Sequence, residues 1–170
     1  IKVRAVFLSA LMVLSVVTGT IAFSGAAAAQ TFDSGSVTPS EVGEQTTNDH
    51  DVTVTVTDVD TGDNESQVLT LDFPDALDLS ATVPEGFSAT NMTLASASVN
   101  QSTNVVSLYR DDDGGVAGDT VEYTFTATDV TTPAVDQDVT ADVTASYASP
   151  PGSADDFSGE PVETLTIQAQ

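Results

Sequence analysis

The sequence predicts an all-β fold, a single antiparallel two-sheet β-sandwich of Ig-like form with seven to nine strands, spanning residues 30–170. Three observations predict it. Apolar and polar residues alternate with period two along several segments. Turn-forming clusters of Gly, Pro, Asp and Asn punctuate those segments at short intervals. Threonine, whose branched Cβ favours extended backbone, occupies the polar positions of the alternation.

The strongest segments are Val52–Thr57, Val121–Thr128, Val139–Tyr147 and Leu165–Ala169, each with one apolar face and one of Thr, Asp, Glu, Ser or Gln. Thr31–Thr38, Gln67–Phe73, Asn91–Val99 and Asn104–Tyr109 complete the expected set. Turns are expected at Asp60–Asn64, Val83–Gly86, Asp111–Gly115 and Ser149–Gly152, and polar surface loops at Pro39–Asp49 and Pro150–Pro161. Asn100–Tyr109 and Val116–Thr128 flank an acidic Gly turn and are expected to form a hairpin or a close pair. Phe73, Phe87, Tyr109, Tyr123, Phe125 and Tyr147 are expected in the core.

Residues 1–29 read differently. Lys2 and Arg4 precede an apolar run from Ala5 to Phe23, and Ser24-Gly25-Ala26-Ala27-Ala28-Ala29-Gln30 follows. A basic start, an apolar middle and a small-residue exit are the pattern of a cleaved secretory signal peptide. No second apolar stretch of that length follows, so no transmembrane span is expected in residues 30–170.

The chain carries 26 Asp and Glu, all beyond the leader, where Arg110 is the one strong base, leaving a net charge of −25 on residues 30–170. Carboxylates closer than the Debye length repel, and that length falls from about 10 Å at 0.1 M salt to about 3 Å at 1 M. The composition therefore suits a protein that folds in brine. It excludes a phosphate-neutralising surface, hence nucleic acid and anionic membranes as partners. Cations are the natural counterparts. Cysteine is absent, so neither disulfides nor a thiolate zinc site can hold the domain.

The leader's wording, Lys2-Val3-Arg4-Ala5-Val6-Phe7-Leu8-Ser9-Ala10-Leu11-Met12-Val13-Leu14-Ser15-Val16-Val17 with Gly19 and Ala22-Phe23-Ser24-Gly25-Ala26-Ala27, resembles the signal peptide of haloarchaeal surface glycoproteins of the S-layer type. That resemblance covers about a sixth of the chain. It implies export to the cell surface of a salt-loving organism and says little about the task of residues 30–170; the partners expected there are the chain itself or other surface proteins.

Two acidic segments are candidate divalent-cation ligands: Asp58, Asp60 and Asp63, and Asp111, Asp112, Asp113 with Asp119. Ca2+ or Mg2+ would be the ion, since closely spaced carboxylates and a flexible Gly suit hard cations. Neither segment matches EF-hand spacing, and solvated acidic turns are the plainer reading. Asn64, Asn91 and Asn100 open N-x-Ser/Thr sequons and are candidate glycan acceptors in an exported protein. His50, the single histidine, has no Gly-x-Ser-x-Gly elbow to serve and is expected on an exposed loop. No catalytic constellation emerges, so no enzyme and no resident cofactor is expected.

These features point to a secreted acidic module with a structural or interaction role on the cell surface. Two other classes fit the composition. A carbohydrate-binding or adhesion module would show an aromatic or amide cluster on one sheet face. A filament subunit that lends Gln30–Thr38 to a neighbouring copy would leave that segment unpaired in its own fold.

Overall fold

A computed structural model describes residues 30–60, 67–110, 117–148 and 156–170, and the leader segment read at 1–29 lies outside them. Ten strands are present: β1 (Thr31–Thr38), β2 (Glu41–Gly43), β3 (Thr47–Asp60), β4 (Gln67–Asp72), β5 (Pro84–Ala89), β6 (Leu94–Asn100), β7 (Val105–Arg110), β8 (Ala117–Thr131), β9 (Val139–Ala148) and β10 (Phe157–Gln168). They form two sheets, one in the order β1-β3-β8-β5 and the other β2-β10-β9-β4-β7-β6. Every pairing is antiparallel except the short parallel match of β2 with β10. The protein is an Ig-like β-sandwich, as its alternation predicts.

The alternation builds the core directly. Val52, Val54 and Val56 of β3 and Val121, Tyr123, Phe125 and Ala127 of β8 turn inward, against Leu69, Leu71, Val106, Leu108, Val143, Ala145, Tyr147, Leu165 and Ile167 of the other sheet. Each fully buried side chain of this kind stabilises the fold by about 1.5–3 kcal/mol. The intervening Thr53, Thr55, Thr124 and Thr126 stay partly exposed.

Strands as long as β3 and β8 cannot follow a twisting sheet without adjustment. Asp58 and Asp129 adopt positive φ (58° and 56°). Register shifts fall beside both, and Val59 and Val130, which break the simple alternation, are consequently buried. These β-bulges bend the strands and re-aim the inward phase by one residue.

Several sequence expectations are corrected. Val83–Gly86, read as a turn, belongs largely to β5, an edge strand bulged between Glu85 and Ser88 with Gly86 at φ 59°. The loop read at Pro150–Pro161 ends inside β10, whose first half is irregular, with Gly159 at φ 69° and register shifts on either side of Glu160 and Pro161. Turn-forming residues there are bulge residues, which period-two reading cannot separate from loops. The loop read at Pro39–Asp49 contains β2 and the start of β3, tied down where the Thr132 hydroxyl donates to the Gly43 carbonyl (2.7 Å) and accepts from the Thr46 amide (2.9 Å).

The hairpin or close pair expected between Asn100–Tyr109 and Val116–Thr128 does not form. β7 lies between β4 and β6 in one sheet, while β8 lies between β3 and β5 in the other, so the chain crosses between sheets after Arg110. Proximity in sequence loses to burial, because each strand gains two neighbours and one core face in its own sheet. Nor is β1 a strand awaiting a neighbouring copy. It pairs with β3 from Thr31↔Thr57 to Thr38↔Asp51 and packs its other side on β10.

That packing is close. A Cβ added at Gly35 of β1 would stand 2.7 Å from Cγ1 of Val162 on β10 and 3.1 Å from the Thr53 carbonyl oxygen. Gly35→Ala is expected to lower stability by about 1–3 kcal/mol through overpacking, read as a shift in denaturant midpoint at fixed salt. A companion Val162→Ala change in the same chain should recover part of the loss.

Candidate functional site

The topology gathers the chemistry-bearing residues at one end of the sandwich. In one sheet β3 ends beside the start of β8, with Val59 opposite Asp119 and Asp60 opposite Ala117. In the other, Gln67 at the start of β4 stands opposite Arg110 at the end of β7, and Tyr147 near the end of β9 stands opposite Phe157 at the start of β10. The described residues that flank 61–66, 111–116 and 149–155 therefore all lie at this end. Asp58–Asp60 and Asp119, far apart in sequence, meet here through the β3–β8 ladder. Asp58 is exposed, Asp60 and Asp119 are fixed by their backbone pairing, and Asp63, Asp111, Asp112 and Asp113 lie outside the described residues.

Beneath this end lies a buried polar joint. Arg110, the one strong base beyond Arg4, is only 2% exposed, on the same inward phase as Val106 and Leu108. Near it the Tyr147 hydroxyl donates to Oε1 of the buried Gln67 (2.6 Å) and bonds the Tyr123 hydroxyl (3.0 Å), which also reaches Sδ of Met92 (3.5 Å). The Asp156 amide donates to the Tyr147 carbonyl (2.7 Å), and the Gln30 side-chain amide, in the orientation that satisfies it, donates to the Asp156 carboxylate. Tyr123 and Tyr147 also meet edge to face at 6.1 Å, Tyr147 stacks on Phe157 at 5.8 Å, and Phe157 meets Phe32 edge to face at 5.9 Å. One aromatic row thus ties β8, β9, β10 and β1 across both sheets.

Burial sets the protonation of this joint. Loss of water pushes the Tyr123 phenol up to about 12, offset in part by its bond to Tyr147 and by the Arg110 charge. Tyr147 is raised further, first by burial and then by the adjacent Tyr123, again with Arg110 pulling the other way. Both phenols stay neutral at physiological pH and act as hydrogen-bonding struts.

Other sequence-predicted positions fall differently. His50 is fully buried rather than on an exposed loop, because β3 begins at Thr47 and carries it inward at an irregular step in the ladder. Its Nδ1 lies 2.9 Å from the Pro39 carbonyl, and its Nε2 meets no hydrogen-bond partner. Phe73, Tyr123, Phe125 and Tyr147 are core as expected, but Phe87 and Tyr109 are each 36% exposed. Phe87 lies within the bulge of an edge strand, and Tyr109 takes the outward phase between the buried Leu108 and Arg110.

Of the sequons, Asn64 lies outside the described residues. Asn91 is exposed at a positive-φ turn before β6. Asn100 is exposed at the end of β6, and its Oδ1 accepts from the Ser102 amide (3.2 Å) and hydroxyl (2.7 Å). The polar joint went unseen in the sequence, although the phase of Arg110 behind Val106 and Leu108 carried its signal.

No protein-family model matches the chain, and no curated protein does. Its fold is similar to that of solved pilin domains. Domains of the major pilin SpaD from Corynebacterium diphtheriae superpose with a TM-score of 0.50 at 14% identity, covering 82% of this chain and 50% of that one. A variant of BcpA, the major pilin subunit of Bacillus cereus, superposes with a TM-score of 0.51 at 9% identity, covering 83% of this chain and 40% of that one. The chain thus spans half or less of each of these two structures, and at these identities the likeness is one of fold. Among the described residues no helix is long and apolar enough to cross a membrane.

Two measurements probe the buried groups. Tyr147→Phe removes the buried hydroxyl that donates to Gln67 and bonds Tyr123, and is expected to cost about 1–3 kcal/mol in denaturant unfolding, whereas Tyr109→Phe, at a partly exposed residue, should change little. Burial lowers the His50 pKa below its ordinary 6.5, with the Pro39 carbonyl and the Asp49 charge opposing. The unfolded chain therefore takes up the His50 proton first, so this contribution to stability is intact above pH 6.5 and is lost as pH falls below it. His50→Gln should flatten the slope of stability against pH below 6.5; an unchanged slope would contradict the assignment.

Proposed function

We propose that this protein is an exported, non-enzymatic structural and interaction module of the cell surface, built for a salt-rich exterior. The observation that carries the reading is an Ig-like sandwich of the kind found in major pilins whose one strong base beyond the leader is buried, leaving a surface of carboxylates and hydroxyls. The described outer faces support a passive role. Ser36, Thr53, Thr124 and Ser88 form one row across the four-stranded sheet, and Ser98 and Ser107 sit opposite one another on the other. Such surfaces hold water and hydrated salt rather than perform chemistry.

The leader's resemblance to S-layer-type glycoprotein signals supports a haloarchaeal envelope as the setting, with Asn64 and Asn91 as sites for glycans. We assign the acidic end, where the segments of Asp58–Asp63 and Asp111–Asp119 converge, to hydrated divalent cations, Ca2+ or Mg2+, that bridge neighbouring modules. The partners are the chain itself and other surface proteins.

Fractionating cells in molar salt tests this. The protein is expected outside the cytoplasm, in the envelope or medium, with an amino terminus near Gln30 and in assemblies that shrink when a chelator removes divalent cations. A protein retained in the cytoplasm with residues 1–29 intact would overturn the surface reading. Assemblies indifferent to chelation would overturn the cation bridge alone.

A further inference from the structure

Charge is spread along this chain except in one place. Residues 86–109 contain no Asp, Glu, Lys, Arg or His, the longest uncharged run beyond the leader in a chain with 26 carboxylates. In space this run is one lateral edge of the sandwich. It supplies most of β5, which closes the four-stranded sheet, then all of β6, which closes the six-stranded sheet, and β7 up to Tyr109. The large exposed apolar side chains also gather on or beside it: Val83 (53%), Phe87 (36%) and Tyr109 (36%).

The two edge strands here differ. β5 carries the protections of an ordinary edge, with Pro84 at its start, Glu85, and a bulge that breaks its ladder. β6 carries little of that. Past one irregular step between Leu94 and Ser96 it runs in regular register from Ser96↔Tyr109 to Asn100↔Val105, paired to β7 and closing its sheet. Its sequence, Leu94-Ala95-Ser96-Ala97-Ser98-Val99-Asn100, has no charge and no proline. A regular, neutral strand end of a sheet is a template for pairing with another strand.

We propose that β6 is a homotypic interface through which two copies of this chain join edge to edge, antiparallel about a two-fold axis near Ser98, into one continuous sheet. The proposal deepens the surface-module reading and borrows from it only the setting. Charge decides the occupant. A second copy can approach a body of net charge −25 with least repulsion where both present a neutral face, and a basic partner finds no carboxylates within β6 to answer its own. An isologous contact needs the same patch on both copies, which a single neutral edge provides.

The faces agree as well. Ala97 and Val99 are partly buried and packed on the core, opposite Leu108 and Val106, while Ser96, Ser98 and Asn100 are exposed. Pairing centred on Ser98 sets Ala97 against Val99 of the second copy on the inner side. Serine and asparagine then meet on the outer side, so neither copy turns a polar row into its core.

Sedimentation of the purified protein in molar KCl with a chelator present tests the proposal. A dimer is expected, and it should weaken as salt is lowered and repulsion between the two bodies returns. Ser98→Glu and Ser98→Lys, which set like charges opposite one another, should each weaken dimerisation at least tenfold, while an equimolar mixture of the two recovers a heterodimer. That recovery also shows that both variants are folded. Thr124→Glu, on the outer face of the other sheet, should leave the dimer unchanged. The proposal is overturned by a protein that stays monomeric throughout, by a dimer that both Ser98 variants leave intact, or by one that dissociates on chelation. The last result would assign association to the acidic end.

Discussion

A domain with 26 carboxylates and one strong base cannot be held together by ion pairs across its surface. Its cohesion rests on two inner sheet faces, and the one base lies among them. Arg110 sits at 2% exposure behind a row of valine and leucine, close enough to the Tyr123 and Tyr147 phenols for its charge to act on both. Placed on the surface, it would neutralise one carboxylate among many. Placed inside, its charge acts on the tyrosine joint that ties β8 to β9, under the end where Asp58–Asp60 and Asp119 meet.

The same constraint explains how the strands are shaped. Long strands wrapped around a narrow core must bend, and the residues that bend them are Asp58, Asp129, Gly86 and Gly159, each at positive φ. Aspartate tolerates that backbone region better than most residues and also points into solvent, so two of the bulges add to the acidic surface at no cost to the core. Among the described residues the result is a sandwich with two hydroxylated faces and one neutral edge.

Much of this architecture was legible in the sequence, and the reasons for the exceptions are specific. Val52–Thr57 and Val121–Thr128 alternate cleanly because each has one buried and one wet face, so period two alone finds them. β5 and the first half of β10 escaped because Pro84, Gly86, Gly159 and Pro161 speak for turns in any local reading, and only the neighbouring strand makes them bulges. His50 escaped for the same reason, since the loop in which it was expected is β2 and the opening of β3. The hairpin across the acidic turn failed because sheet membership depends on partners far away in sequence. At the candidate site, the convergence of Asp58–Asp60 with Asp119 comes from the register of β3 and β8, which no local pattern states. The neutral run at 86–109 was open to view as composition, but its meaning appeared only once β6 proved to be an edge.

The central claim is that apolar packing and a buried polar joint hold this fold against the repulsion of its own surface, with salt as the counterweight. The most direct test is the thermal midpoint of unfolding measured in KCl from about 0.1 to 3 M, where the Debye length falls from about 10 Å to 3 Å or less. A midpoint that climbs steeply through the first molar, as screening removes the repulsion, and only slowly beyond it is the expected result. A midpoint that is flat or falls with salt would contradict the claim, because the carboxylates would then be answered within the folded protein and not by its solvent.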